Sequence, residues 1–373
     1  ACGCLGPTKA KQFIASSGED LIQKLKGNPS FIFTLIHKFN NADEPAIIPD
    51  HDIIILSGEA HRTQNGIFAD NMCALLPTAS RIGFTGTPLF AYDNITERTF
   101  GNYVSIYDFK RAVEDGATVP LYYENRADLL DIENPDINDE MLDAFEQADL
   151  DVNQQAKLEM ELAKDIHILT SQKRLETIAR DFVEHYSEIW TTGKAMCVCI
   201  NKVTAVRMFN LAQKYWALKI KEIESSLAEA TQQEYMEITR KLEWMKNTEM
   251  AVIISQEQNE IATFEKWGLD IKSHRSKMEK REMDKEFKDS ENPLRIVFVC
   301  AMWLTGFDAP SATYLYIDKS MQDHGLFQAI CRTNRLDGDD KPFGYIVDYK
   351  DLFKKVQGAL AVYTSELDHS AGG

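Results

Sequence analysis

The sequence lacks the features that would place it in several large classes of protein. No apolar run approaches the roughly 18 residues that a membrane-spanning helix needs, and no signal peptide is recognisable. The seven cysteines are an odd number, and several lie inside apolar runs such as residues 196–200. Reduced, buried thiols in a cytoplasmic protein explain this pattern better than a disulfide framework. What remains is a globular chain of 373 residues, which is long enough for two ordinary domains.

Positively charged residues are fewer than negatively charged ones. The chain has 41 Lys and Arg residues against 58 Asp and Glu residues, a formal net charge of −17. This balance argues against a surface coated in basic residues, although a local DNA groove needs only a few donors. The Cys-x-Cys pairs have no His or Cys partner at ligand spacing nearby, so we expect no zinc site.

Short apolar runs separated by helical stretches dominate the rest of the sequence. The runs predict buried strands of a parallel sheet, and helices are predicted at residues 173–190 and 203–223. Alternating strands and helices predict an α/β fold with helices on both faces of the sheet. The predicted strands cover residues 31–35, 53–56, 81–84, 196–200, 251–254, 295–300, 313–317 and 345–347.

The composition divides the chain into parts. Residues 126–165 are acidic, include Asn134-Pro135 and contain no strong strand, so we predict a linker between residues 1–125 and 166–373. Within the second part, residues 219–290 are densely charged and helical. An exposed helical insertion is the commoner explanation of such a pattern, and a docking element is the alternative.

Two segments place polar side chains directly after predicted strands. Glu59 would lie at the carboxyl edge of the sheet, where a carboxylate can orient or deprotonate a water that attacks a phosphoryl group. Thr85 and Thr87 follow the next strand in a turn that ends at Pro88. Taken singly, each segment is more commonly explained as an ordinary turn after a strand.

Two further segments lie near the end of the chain. Residues 305–308 follow the predicted strand 295–300, and residues 328–335 contain a glutamine and two arginines. On a helix, Arg332 and Arg335 would share one face with Gln328. They would form either a surface ion-pair patch or a guanidinium clamp on a transferring phosphate.

In order and spacing, these segments together resemble the motifs of superfamily 2 helicases and translocases. Glu59-Ala60-His61 resembles motif II, the DEAH box, and Thr85-Gly86-Thr87 resembles motif III. Residues 305–308 resemble motif V, and residues 328–335 resemble motif VI. The amino-acid sequence is also similar to that of the restriction subunits of Type I restriction enzymes. This similarity covers most of the chain, from about Phe31 to Phe353. The segments that carry this closer resemblance are residues 59–64, 83–89, 112–120, 193–196 and 328–335.

The resemblance implies two RecA-like helicase lobes, the first of them incomplete. It implies that Glu59 activates the hydrolytic water, and that Arg332 and Arg335 reach the ATP phosphates from the second lobe. Lys38, within residues 34–39, is implied as a contact to a DNA phosphate. The residues implied in ATP binding or in coupling it to movement are His61, Thr85, Thr87, Thr305, Gly306, Asp308 and Gln328.

The sequence departs from the family in two places. It contains no G-x-x-x-x-G-K-[ST] phosphate loop, so we expect a fragment that begins downstream of that loop and of the family's nuclease domain. Gly58 stands where the DEAH box has the aspartate that ordinarily holds Mg²⁺. The chain alone is therefore expected neither to bind ATP tightly, nor to hydrolyse it, nor to cut DNA.

The resemblance implies that the complete protein uses ATP and Mg²⁺ to translocate double-stranded DNA before cleaving it. It would assemble with modification and specificity subunits, and it would need no membrane. Two alternatives remain: another helicase or duplex-DNA translocase of the same superfamily, and a non-catalytic DNA-binding or assembly scaffold with a helicase fold. Gly58 and the absent loop permit the scaffold. Arg332 and Arg335 weigh against it, because a scaffold gains little from a phosphate clamp.

Overall fold

The computed structural model of the chain has two compact units, Ala1–Ile106 and Tyr107–Gly373, called here the first and the second unit. None of the helices described is long and apolar enough to cross a membrane. The structure describes residues 11–27, 29–40, 44–48, 51–58, 60, 67–85, 100–102, 104–107, 109–127, 171–190, 192–304, 306–321, 323–338 and 341–352.

The first unit contains a two-stranded parallel sheet among its described residues. Gly58 lies opposite Phe84 in the register, so both strands end at the same edge. The first helix begins where the Ser17 hydroxyl accepts a hydrogen bond from the Asp20 N–H at 3.1 Å. The elements are α1 (Gly18–Lys26), a 3-10 turn (Ile36–Lys38), β1 (Ile54–Gly58), α2 (Ile67–Leu75) and β2 (Ser80–Phe84).

One face of this small sheet is packed and the other is exposed. The packed side adjoins a core of Ala15, Leu21, Ile22, Leu25, Phe39, Met72, Leu75, Leu76 and Ala79. The exposed face carries Ile54, Leu56, Ile82 and Phe84, each between 45% and 65% exposed. The strand predicted at residues 31–35 is wrong, because that segment forms only a single bridge, between Ile14 and Phe33.

The second unit is built on a six-stranded parallel sheet in the order β3-β8-β7-β4-β6-β5. Its strands are β3 (Leu121–Asn125), β4 (Lys194–Cys199), β5 (Glu249–Ile253), β6 (Leu294–Val299), β7 (Ala312–Asp318) and β8 (Gly344–Asp348). Its helices are α3 (Phe109–Glu114), α4 (Gln172–Glu188), α5 (Lys202–Ser226), α6 (Gln232–Asn247), α7 (Glu260–Lys266), α8 (Lys272–Lys280), α9 (Met283–Lys288) and α10 (Asp323–Ile330).

Helices cover both faces of this sheet. Every residue of β4 and of β7 is buried, as expected for central parallel strands. Cys197 belongs to a core shared with α4, α5 and α6, whereas its neighbour Met196 belongs to a second core shared with α9 and α10. The predicted α/β fold is thus confirmed. All five cysteines that the structure describes are free thiols.

The second unit begins earlier than the sequence analysis placed it. The predicted boundary left residues 107–125 in the first lobe, but β3 pairs in parallel with β8, from Leu121 opposite Gly344 to Asn125 opposite Asp348. These backbone hydrogen bonds make β3 an edge strand of the second sheet. Of the predicted linker, only residues 126 and 127 lie within the described part.

The charged stretch at residues 219–290 is integrated into the second unit. It contains β5, which pairs with β6, and α9, whose Phe287 is fully buried in the second core. Trp216 in α5 also donates its indole N–H to the carbonyl of Met245 in α6 at 3.0 Å. The charged residues therefore coat helices that are packed on the sheet.

Candidate functional site

Both predicted arginines lie beyond the C-terminal end of α10, in a tight turn. The Arg332 N–H donates to the Ala329 carbonyl at 3.0 Å, and the Thr333 N–H donates to the Ile330 carbonyl at 3.1 Å. Thr333 is fully buried, so the chain turns inward instead of continuing the helix. Placing both arginines on one helix face was therefore wrong, although Gln328 does lie on α10.

Arg332 joins this turn to residues 306–309. Its Nε donates to the carbonyl of Gln328 at 3.1 Å, and its Nη1 donates to the carbonyl of Phe307. A guanidinium that donates to two backbone carbonyls is held in one orientation. Arg332 thus connects the motif VI segment with the motif V segment.

Arg335 is held more loosely and is more accessible. Its Nε lies 3.7 Å from the Asp308 carboxylate, and the two side chains are 46% and 66% exposed. A pair so open to solvent contributes little to stability. Its guanidinium can exchange Asp308 for another anionic partner, such as a phosphate.

Residues 301–304 and 306–309 lie in a constrained loop region that presents Asp308. Trp303 and Gly306 have φ angles of 70° and 68°, in the left-handed region that costs a tryptophan some strain. The rings of Trp303 and Phe307 stack with centroids 4.1 Å apart, and the Lys288 ammonium lies 4.9 Å from the centre of the Phe307 ring. This packing fixes the backbone beside Asp308. Thr305 lies outside the described residues.

The motif II and motif III segments begin at the carboxyl edge of the first unit's sheet. Thr85 follows β2 directly and is half-buried. A Cβ added at Gly83 would lie 3.0 Å from the Cβ of Ala60, so glycine allows the two segments to approach closely. Of the other predicted residues, Glu59, His61 and Thr87 lie outside the part of the chain that the structure describes.

Gly58 is required neither by its conformation nor by the space around it. A Cβ at this position would meet nothing within 4 Å, and its φ is outside the left-handed region. Glycine offers no side-chain oxygen to a metal, however, and no group of three potential metal ligands occurs among the described residues. Position 58 therefore supplies no side-chain ligand for Mg²⁺.

Lys38 is half-buried at the end of the 3-10 turn. Its ammonium donates to the carbonyl of Ala15, which ties the turn to the segment before α1. An ammonium has three donors, so this bond leaves capacity for a phosphate.

Burial changes the electrostatics of the arginine turn. It raises the pKa of the Cys331 thiol to about 11, although Arg332 and Arg335 oppose the shift. The thiol is therefore neutral at physiological pH and places no negative charge beside the arginines. Gln328 is 7% exposed, whereas the side chains of Arg335 and Asp308 are accessible.

The groups that hold the arginines in place were not predicted from the sequence. The Phe307 carbonyl accepts from Arg332, and the Asn334 carbonyl accepts from the Val119 N–H at 2.8 Å. Backbone acceptors leave no signature in a sequence. The family-like sequence of residues 112–120 was recognised, but the contact of Val119 with Asn334 could not be predicted from it.

Two family models match the chain. Residues 4–156 match the SWI2/SNF2 ATPase model, and residues 192–351 match the model of domain 3 of the Type I restriction enzyme subunit R. The first match contains the motif II and III segments, and the second contains the motif V and VI segments.

Individual relatives agree with these models. The chain is 34% identical over 355 residues to the Type I restriction enzyme HindI endonuclease subunit of Haemophilus influenzae, covering 89% of the chain. It is 33% identical over 355 residues to a Methanocaldococcus jannaschii protein named as the endonuclease subunit of a type I restriction enzyme, MjaIXP, covering 93% of the chain. The chain spans 30% of the length of each of these relatives.

A solved structure is similar in fold. It is a fragment of a type I restriction enzyme HsdR subunit from Vibrio vulnificus YJ016, with a TM-score of 0.50 and 16% identity, and the likeness covers 81% of this chain and 44% of that one. The parallel sheets seen here are accordingly those of RecA-like helicase lobes. By its sequence and its fold, the chain belongs to the R subunits of Type I restriction enzymes and corresponds to their helicase-like ATPase motor region.

Proposed function

We propose that the complete protein hydrolyses ATP to translocate double-stranded DNA and cleaves the DNA afterwards. The observation that carries this proposal is the junction in the second unit, where Arg332 donates to the Phe307 carbonyl and Arg335 pairs with Asp308. A junction of this kind lets a change at a phosphate-binding arginine move the loop to which it is bonded. The family's use of ATP supports the same conclusion.

We assign different roles to the two arginines. Arg335 contacts an ATP phosphate, because its guanidinium is accessible and weakly paired. Arg332 transmits the change to residues 306–308, because its Nε and Nη1 donate to the backbone carbonyls of Gln328 and Phe307. Glu59 orients the attacking water. The supporting residues are His61, Thr85, Thr87, Thr305, Gly306, Asp308 and Gln328.

We further propose the partners of the complete protein. Double-stranded DNA is the polymer moved, and Lys38 is one contact to its phosphates, using the donors that Ala15 does not occupy. Modification and specificity subunits complete the assembly, which acts in the cytoplasm. The specificity subunit selects the DNA target.

The chain alone is proposed to be inactive. It has no phosphate loop to cradle the β- and γ-phosphates, and Gly58 provides no ligand for Mg²⁺. We expect no ATP hydrolysis by the purified chain with or without DNA, measured as phosphate release. Hydrolysis that disappears in Glu59→Gln would overturn this part of the proposal.

The arginine roles are tested in the complete R subunit, assembled with its modification and specificity subunits. Arg335→Ala is expected to lower kcat for DNA-stimulated ATP hydrolysis by about 1000-fold, the lower end of what an arginine finger contributes. Arg240→Ala, an exposed arginine of α6, is the matched control and should retain wild-type kcat. A wild-type kcat in Arg335→Ala would refute the assignment.

Gly58 favours a second candidate function, a DNA-binding or assembly scaffold with a helicase fold. The two candidates are separated by sequencing the source gene through codon 58 and upstream of the codon for Ala1. Asp at codon 58, with a phosphate loop and a nuclease-like region upstream, supports the motor. A true Gly58 codon in a reading frame that starts near Ala1 supports the scaffold.

A further inference from the structure

Gly344, the first residue of β8, touches the backbone of the arginine turn. A Cβ added at Gly344 would lie 2.4 Å from the carbonyl oxygen of Thr333 and 2.7 Å from its carbonyl carbon. It would also lie 2.9 Å from a methyl group of Leu121. The φ of Gly344 is outside the left-handed region, so space, rather than conformation, requires glycine here.

Thr333 cannot move away easily from such a side chain. It is fully buried, and its hydroxyl donates to the Ile330 carbonyl at 3.0 Å. It lies next to Arg332 in the chain and two residues before Arg335. A displacement of the Thr333 backbone therefore reaches both arginines through one or two peptide units.

A second contact holds the other end of the turn. The Val119 N–H donates to the Asn334 carbonyl at 2.8 Å, and the Gly344 N–H donates to the Pro120 carbonyl at 2.9 Å. Asn334 is 3% exposed. Val119 and Gly344 thus contact the backbone of residues 333–334, and Pro120 joins these two residues by accepting from the Gly344 N–H. We call these three residues the seat.

The segment that provides Val119 and Pro120 is itself anchored beside α10. The rings of Phe109 in α3 and Phe327 in α10 meet edge to face, with centroids 6.4 Å apart. After α3, Gly116 adopts a φ of 65°, which reverses the chain toward β3. Residues 109–120 therefore bind α10 at one end and the arginine turn at the other.

We propose that Gly344 is a positioning residue for Arg332 and Arg335, and that Val119 and Pro120 complete the seat. The seat fixes the backbone of residues 333–334 and thereby the points from which both guanidinium groups project. A methyl group at residue 344 pushes this backbone away and breaks the bonds of Arg332 to Gln328 and Phe307. The importance of the seat for function rests on the roles proposed above, a phosphate contact for Arg335 and the transmission of its change for Arg332.

The test uses the whole chain labelled with ¹⁵N-arginine and reads the side-chain Nε–H signals by NMR. The Arg332 and Arg335 signals are identified by their loss in Arg332→Lys and Arg335→Lys. In Gly344→Ala we expect the Arg332 signal to move to the position of solvent-exposed arginines and to exchange faster with water. Arg275, whose Nε donates to Glu260 at 2.7 Å, is the internal control and should not change. An unchanged Arg332 signal would overturn the proposal.

A double variant separates the arginine turn from the rest of the packing. If Gly344 served only to accommodate Leu121, then Leu121→Ala would restore the Arg332 signal in the Gly344→Ala background. We expect no restoration, because the contact with the Thr333 backbone remains; restoration would refute the proposal. Gly325→Ala in α10 is the matched control, since a Cβ there meets nothing within 4 Å.

A milder variant covers the case in which Gly344→Ala does not fold. Val119→Pro removes the N–H that donates to the Asn334 carbonyl, and its ring also fixes φ at residue 119 and restricts Thr118. We expect a folded chain in which the Arg335 signal shifts, and an unchanged Arg335 signal would count against the seat. These spectra contain no nucleotide, so their outcome is independent of whether the arginines bind phosphate.

Discussion

Arg332 donates a hydrogen bond to the backbone carbonyl of Phe307, whereas Arg335, three residues later, has an exposed carboxylate partner. We expect Arg332→Ala to lower the free energy of unfolding of the second unit by about 1.5–3 kcal/mol, because charged hydrogen bonds to buried carbonyls are lost. Arg335→Ala should cost less than about 1 kcal/mol. Urea unfolding of both variants measures the difference, and equal losses would contradict the two roles assigned to these residues.

The core of the second unit contains a charge pair. The Arg174 guanidinium donates to the Asp318 carboxylate, with Nη1 3.1 Å from Oδ2, and the side chains are 1% and 0% exposed. Arg174→Met should destabilise the unit by about 3–5 kcal/mol, because a buried carboxylate is left uncompensated. Adding Asp318→Leu should recover most of that loss. A double variant as unstable as the sum of the single ones would contradict this explanation.

The buried Lys194 should make the free energy of unfolding depend on pH. The residue is 1% exposed, and its ammonium donates to the carbonyls of Glu286, at 3.0 Å, and Asp289. Burial lowers its pKa from 10.5 to about 8. Between these values the unfolded chain binds more protons than the folded one, so the free energy of unfolding rises with pH across this window.

Because one pKa unit corresponds to about 1.36 kcal/mol, the free energy of unfolding should rise by about 3 kcal/mol across the whole window. Urea unfolding between pH 7.5 and 10 should therefore show a shallower rise with pH in Lys194→Met than in the wild type. Lys266→Met, at an exposed lysine of α7, controls for the loss of one positive charge. The same slope in wild type and Lys194→Met would show that the pKa of Lys194 is not lowered.

We expect copies of the chain to associate through the exposed face of β1 and β2. Leu56 and Phe84 are 65% and 58% exposed on this face, and a contiguous apolar surface favours association. Leu56→Ser with Phe84→Ser should reduce oligomers seen by sedimentation velocity, with a change in unfolding free energy below about 1 kcal/mol. Leu75→Ser, at a buried residue of the same unit, should instead destabilise it. Unchanged oligomers in the double variant would show that this face does not mediate association.

The strands of the second sheet were predictable to the extent that they are buried on both faces. β4, β6 and β7 are almost continuous apolar runs, because helices cover both sides of them. β3 was missed, because an edge strand keeps polar and exposed residues such as Glu124 and the 54%-exposed Tyr122. The prediction at residues 31–35 failed in the opposite way, because an apolar run was taken for a strand. This segment makes only one bridge and does not belong to a sheet.

The sequence by itself determined the α/β class, the family and the identity of the candidate residues, since these depend on local apolar periodicity and on residue types at fixed spacing. The tertiary structure decided how the arginines are held. The contacts of Arg332 with Phe307, and of Thr333 with Gly344, join residues that no periodicity relates. They depend on backbone carbonyls and on the space left by an absent side chain, and both are set by packing between strands that are remote in the chain.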